Sequence, residues 1–320
     1  MKKLILKIAF YLIAIIALLE LMVRAFHLHT DDPPRYIDKF GVEKRVPGHN
    51  GYSVTGNRNQ TFSAFKINKE GFNSFREFSP TKDGYEIAII GDSFIEGFHI
   101  DYTNSIGKKI EDNLKYGEVY EYGYAGYDLA NQMHLIYSNK EQFDLIDEII
   151  IYLNFQNDLK RNEYVPNTSR IALLSSLPFK IRDNIKLLSY ASGIGVLDPI
   201  KTFFVKKLPE RKAMTQNSDD GIQIAEKISA QEEKVLLENF KDLITLYGFD
   251  KTKTSILLDK RETGDRFLAY CNQNDINIID FSTAFSQSKK PTTLIYDWHW
   301  NEHGRDLIAK EISDYIKKRK

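Results

Sequence analysis

The stretch "YEIAIIGDSFIEGFHI", residues 85–100, decides the fold. Its first half is a short apolar run stopped by Gly91, which predicts a strand buried on both faces rather than a half-solvated one. Such strands belong to parallel sheets, whose ligands bind beyond the carboxyl ends of the strands. Ser93 stands at such an end, in Gly-Asp-Ser-x-x-x-Gly. Taken alone, Ser93 reads more readily as a turn serine capping the next helix than as a nucleophile.

Working outward, strand and helix patterns alternate. "NSIGKKIEDNLKY" (104–116) has helical spacing, "EVYEYGYA" (118–125) alternates as a strand, and "YDLANQMHLIYSN" (127–139) is helical again. "DEIIIYLNF" (147–155), "TSILLDK" (254–260) and "INIIDFS" (276–282) supply three further strands. This order predicts a parallel sheet covered by helices, because parallel strands need crossover connections. Residues 159–221 break the alternation with an apolar but irregular run and then the polar "TQNSDDG". They are expected to form an inserted cap. An amphipathic helix with Leu236, Phe240, Leu243, Ile244 and Tyr247 on one face then stops at Gly248.

The remaining features bound the class. Balanced charge, 44 Lys+Arg against 44 Asp+Glu, gives no global field towards nucleic acid. A single cysteine, Cys271, excludes an intrachain disulfide and a multi-cysteine metal site. The N-terminus carries Lys2, Lys3 and Lys7, then an apolar run to Leu19, with Glu20 and Arg24 four residues apart near its end. Leu4 to Val23 is long enough to cross a bilayer, which takes about 20 residues. No small-x-small cleavage site follows, so an uncleaved signal anchor is expected. The lysines before it place the N-terminus inside and the bulk of the chain outside the cytoplasm. The expected division is an anchor at 1–28, a linker with an irregular or short-stranded lead-in at 29–84, and the main domain at 85–320.

The residues after each strand converge on one chemistry. Ser93 follows the first strand, Gly126 the second and Asn157 the third, while "YDWHWNEHGRDLIA" near the C-terminus supplies Asp297 and His299. A nucleophile, oxyanion donors, a base and its orienter are what acyl transfer requires. "GDSFIEG", "AGYDLANQ", "NFQND" and "DWHWNEHGRDLIA" together resemble, in order, the blocks of the SGNH/GDSL hydrolase superfamily. "INKEGFNS" (67–74) is similar to the lead-in of its membrane-anchored bacterial members.

The resemblance implies a flavodoxin-like three-layer α/β/α sandwich with a parallel five-stranded sheet, to which this chain adds the cap and the transmembrane helix. It implies Ser93 as nucleophile, His299 as general base and Asp297 as orienter, with an oxyanion hole from the Ser93 and Gly126 N–H groups and the Asn157 side chain. Two departures stand out. The commonest spacing is Asp-x-x-His, whereas Asp297-x-His299 is one residue shorter and puts Tyr296 at the usual acid position; Asp-x-His-Trp occurs in relatives acting on exopolysaccharide acetyl groups. Phe155 replaces the usual glycine of the asparagine block.

Other features read as structure. Asp92 and Asp158 are expected to fix turns. His27, His29, His49, His99 and His134 have no partners at catalytic spacing and read as incidental. "HWNEH" (299–303) satisfies an inverted zincin pattern, but His303 falls at a helix start, and no metal or organic cofactor is expected. Of the aromatics crowding the motifs, Trp298 and Trp300 are the expected sugar-stacking pair and most of the rest packing. The resulting expectation is a single-pass protein of the bacterial inner or cytoplasmic membrane with an extracytoplasmic serine esterase domain. Its substrate would be an O-acyl, chiefly O-acetyl, ester on a glycan or another small ester. An O-acyltransferase modifying a surface polysaccharide shares the same residues, and a non-catalytic glycan-binding protein is the alternative of a different class.

Overall fold

The structure is a computed structural model and describes residues 1–55, 61–197, 229–295 and 297–320. Its centre is a five-stranded parallel sheet of β5 (Glu86–Gly91), β6 (Glu118–Gly123), β7 (Glu148–Tyr152), β8 (Thr254–Leu258) and β9 (Asn277–Asp280). The spatial order is β6-β5-β7-β8-β9, the doubly wound order expected of a flavodoxin-like sheet. Every residue of β5 is buried, as its unbroken apolar run requires.

The pleat divides β5 between two cores. Ala88 and Ile90 pack on the face covered by α4 (Leu129–Ser138), α10 (Ala230–Tyr247) and α11 (Asp265–Gln273). Ile87 and Ile89 pack on the opposite face, under α3 (Ile106–Leu114) and α13 (Glu302–Arg319). Because the chain leaves β5 first for β6 and then crosses to β7, the order reverses at β5. That reversal opens a crevice at the carboxyl ends of β5 and β7, where ligands bind in such sheets.

Among the described residues of 29–84, the chain takes the short-stranded form of the expected lead-in. β1 (Arg35–Ile37) pairs antiparallel with β2 (Glu43–Arg45), and β3 (Asn50–Thr55) with β4 (Thr61–Lys66). The charged run Glu43-Lys44-Arg45 is entirely buried. It tolerates burial because each cation has a partner: Lys44 Nζ lies 3.0 Å from Asp38, and Arg45 Nε donates to Glu96 Oε1 at 2.8 Å. Glu96 belongs to the helix that begins at Ser93, so this ion pair ties the lead-in to the Ser93 segment.

The cap interrupts the sheet between β7 and β8. After α6 (Phe155–Asp158) come α7 (Thr168–Leu174), α8 (Leu177–Asn184) and α9 (Lys186–Gly193). The rest of the expected 159–221 insertion, from residue 198, lies outside the described residues. At the N-terminus, α1 (Lys2–Ala25) has a mean hydropathy of 2.5 and only Val23 buried, so it is long and apolar enough to cross a membrane.

Candidate active site

The short helix α2 (Ser93–Glu96) starts where β5 ends. Asp92 caps it, Oδ1 accepting the Phe94 N–H at 2.9 Å, and Gly97 closes it with φ +67°. Asp92 therefore holds the turn, as expected. Gly123, at the end of β6, is required sterically, since a Cβ there would come 2.0 Å from the Glu96 nitrogen. The tight fit of β6 against α2 fixes the direction in which Ser93 leaves the strand.

Ser93 Oγ lies 2.7 Å from His299 Nε2. His299 Nδ1 bonds Asp297 Oδ1, which also accepts the backbone N–H of His299 at 3.1 Å. The carboxylate thus closes an Asx-type turn on the residue two positions on and orients that residue's own imidazole with the same oxygen. This is how an Asp-x-His spacing, one residue shorter than usual, still builds the dyad. Burial raises the Asp297 carboxyl, but the His299 hydrogen bond and neighbouring imidazoles outweigh it and hold the group at about 2. Asp297 is therefore an anion at any pH of interest. Tyr296, at the alternative acid position, lies outside the described residues.

The sequence reading missed His99. Its Nδ1 lies 3.3 Å from Asp297 Oδ2 and 3.3 Å from Thr55 Oγ1, and its ring packs on His299 with centroids 4.2 Å apart. A carboxylate oxygen at that distance selects the Nδ1–H tautomer, because a lone pair there would face negative charge. Burial and then the adjacent His299 push His99 down to about 4 from an ordinary 6.5, Asp297 opposing them. Nothing in "GFHI" announces this, because the partner lies nearly two hundred residues away. The only clue was a histidine just past the motif glycine. His99, Asp297 and His299 bring their ligand atoms within 4.8 Å of one another. A cation held there would compete for the Asp297 and His299 atoms that already bond each other and Ser93.

The depressed His99 value has a sign that can be tested. Between about 6.5 and 4 the unfolded chain takes up a proton that the folded chain refuses, so acid destabilises the fold over that window. Above it the neutral form is shared, and below it both states are protonated. His99→Gln is expected to remove about 2–3 kcal/mol of this acid sensitivity. Denaturant midpoints measured across the window check it; parallel curves for the two proteins would contradict it.

Two further pieces join the Ser93 and His299 segments. Arg305, fully buried on α13, donates from Nη2 to the Phe94 carbonyl at 2.9 Å and from Nε to the Trp300 carbonyl at 3.3 Å. It thereby links the residue after Ser93 with the residue after His299. Burial pushes its guanidinium down to about 10 against the pull of Glu121. Phe94 also packs on both His299 and Trp300, with centroids 4.5 and 4.7 Å away.

The other expected residues are placed as follows. Gly126 has φ +95°, a conformation that favours glycine, and a Cβ there would come 2.5 Å from the Arg170 guanidinium of α7. Asn157 lies in α6 with Lys160 Nζ donating to its Oδ1 at 3.2 Å, which leaves the amide N–H groups for other partners. Asp158 is buried and accepts the Asn154 N–H at 2.7 Å, a structural role. Burial and the nearby Asp92 hold its carboxyl well above the usual range.

The tryptophan pair divides. Trp298 is 56% exposed, whereas Trp300 is 3% exposed and packs among Phe94, Tyr152 and Phe281. Both border a cleft of about 210 Å³ with Asn157, Asp259, Glu262 and Phe285, but only Trp298 offers an open ring face. Tyr122, Tyr124 and Tyr127 are buried packing residues. His303 bonds Ser288 Oγ at 2.9 Å from the first turn of α13, while His299 precedes that helix. The two histidines of "HWNEH" therefore do not share a helix face.

No protein-family model and no curated protein sequence matches the chain. Among solved structures it is similar to a member of the lipolytic protein G-D-S-L family from Veillonella parvula DSM 2008, at 14% identity and a TM-score of 0.41, over 73% of this chain and 99% of that one. A lipase/acylhydrolase from Enterococcus faecalis gives 12% identity and a TM-score of 0.41, over 73% and 96% of the two chains. A SGNH-hydrolase family esterase gives 14% identity and a TM-score of 0.36, over 74% and 97%. All three carry names from the class that the sequence blocks resemble. At these TM-scores the likenesses bear no functional weight, and function rests on the geometry of Ser93, His299 and Asp297.

Proposed function

We propose that this protein is a serine esterase of the SGNH/GDSL type, working through an acyl-enzyme. The observation that carries the reading is the unbroken line from Ser93 Oγ, 2.7 Å from His299 Nε2, through Nδ1 to Asp297. As Ser93 Oγ attacks an ester carbonyl, its proton passes to His299 Nε2, and Asp297 stabilises the resulting imidazolium. The tetrahedral oxyanion is received by the N–H groups of Ser93 and Gly126 and the Asn157 amide. Collapse breaks the bond to the alcohol, which leaves with the proton from His299. Water then repeats the sequence on the acyl-serine and releases the acid.

The substrate we infer is an O-acyl, chiefly O-acetyl, ester on a glycan. The exposed Trp298 face beside His299 suits CH–π stacking with a sugar ring, and the Glu262 carboxylate on the same cleft suits its hydroxyls, the Asp259 carboxylate there being held by Arg261. The apolar α1 with lysines before it supports a single-pass anchor and a catalytic domain outside the cytoplasm. The full chain in detergent, given an aryl acetate and a fluorophosphonate probe, is expected to turn over and to be labelled at Ser93. Absence of both would leave the binding-protein alternative. With a glycan acceptor present, acetylated glycan forming faster than free acetate would make the reaction transfer rather than hydrolysis.

The oxyanion assignment has its own check. Asn157→Ala is expected to lower kcat by about 10²–10³ with little change in KM. A fall in stability alone, with kcat kept, would assign Asn157 to the fold of α6.

A further inference from the structure

The cap helices α7, α8 and α9 contain no buried residue, although their sequence is rich in leucine and isoleucine. Leu177 and Ile181 on α8 and Ile185, the extended residue that ends it, recur every four residues and leave apolar side chains exposed by between 42% and 70%. Lys180 and Arg182 flank these side chains on either side. An exposed apolar stripe edged by cations is the pattern of a helix lying in a membrane interface.

Its position is set by the anchor. The Glu20 carboxylate of α1 accepts the backbone N–H groups of Lys186 and Leu187, at 3.0 and 2.7 Å, at the start of α9. Arg24 donates to the Asn184 carbonyl, at the end of α8, at 2.8 Å. The junction of the two helices is therefore fastened to one level of α1. At 1.5 Å per residue, Glu20 stands about 24 Å along the helix from Leu4, near the far edge of a hydrocarbon core about 30 Å thick.

We propose that α8 and the α8–α9 junction rest in the outer membrane–water interface, with the Leu177–Ile181–Ile185 stripe turned into the acyl chains and the flanking cations at the phosphates. The partner of this surface is a lipid bilayer. This rests on the reading of α1 as a membrane anchor. It also explains Glu20, an acid inside an apolar helix: its charge is met by two amide N–H groups and Arg24. The seat bears on the site, because Arg170 of α7 donates to the Ala125 carbonyl at 3.3 Å and stands over Gly126. Esters reaching Ser93 would thus be handled close to the bilayer surface.

Spin labels on cysteine variants of the full chain test this, in vesicles of phosphatidylcholine and phosphatidylglycerol. The native Cys271 is buried with its thiol pushed up to about 12, so it stays unlabelled. Labels at Leu12→Cys, Ile181→Cys and Ile185→Cys are expected to collide several-fold more with oxygen than with a water-soluble nickel chelate. A label at Leu246→Cys, exposed on α10, should show the reverse. Lipid exposure at 12 with aqueous exposure at 181 and 185 overturns the interfacial seat and leaves the anchor standing. Exclusion of both reagents at 181 and 185 also overturns it, since protein then covers the stripe. Aqueous exposure at 12 overturns the anchor reading and the seat with it.

Discussion

Ser93→Ala in the full chain is expected to lower kcat/KM for an aryl acetate by about 10⁴–10⁶ and to abolish fluorophosphonate labelling. The size follows from how the three side chains act. His299 can remove a proton only from a hydroxyl placed at Nε2, and Ser93 Oγ stands there at 2.7 Å. Without it, the oxyanion donors and substrate binding still operate, which sets the floor at about 10³ over water rather than zero. Folding should be unaffected. Ser93 is only half-buried, and Asp92 rather than Ser93 caps α2, so a melting temperature within about 2 °C of the parent is expected. Steady-state kinetics with a thermal melt of the same preparation check both halves. A variant keeping a tenth of the activity would remove Ser93 from the chemistry, whatever the motif around it.

The strand ends were legible because each rests on local pattern. An apolar run stopped by glycine places Ser93, alternation followed by helical spacing places Gly126, and the apolar run of 147–155 places Asn157, so the sheet and the edge where these residues gather follow from sequence alone. What stayed hidden depends on distant partners. The burial of Glu43-Lys44-Arg45 shows only where Glu96 and Asp38 are seen to neutralise its cations. His99 reads as incidental until Asp297 arrives beside it from the other end of the chain. Trp298 and Trp300 read as a pair because positions two apart look equivalent, yet Trp300 fills the space beneath Phe94 and Trp298 does not. Arg305 has no local sequence signal; its contacts with the Phe94 and Trp300 carbonyls give it a place in the site's framework.

Asp297→Asn is expected to lower kcat by about 10⁴ while leaving the fold nearly as stable. An asparagine carbonyl can still accept the His299 backbone N–H, so the turn that shapes Asp297-x-His299 survives. What is lost is the charge that holds the His299 Nδ1–H tautomer and balances the imidazolium when Ser93 gives up its proton. Because the carboxyl sits at about 2, Asp297 is ionised at every pH above about 4, so its own titration adds no pH dependence to this loss. Adding His99→Gln discriminates two roles for His99. If it acts through Asp297, by meeting Oδ2, the double variant falls no further than Asp297→Asn alone, and the cycle shows coupling of about 0.5–3 kcal/mol. If His99 touches substrate directly, the two losses add. The 3.3 Å approach to Oδ2, with the ring stacked on His299 rather than aimed at Ser93, predicts the first result.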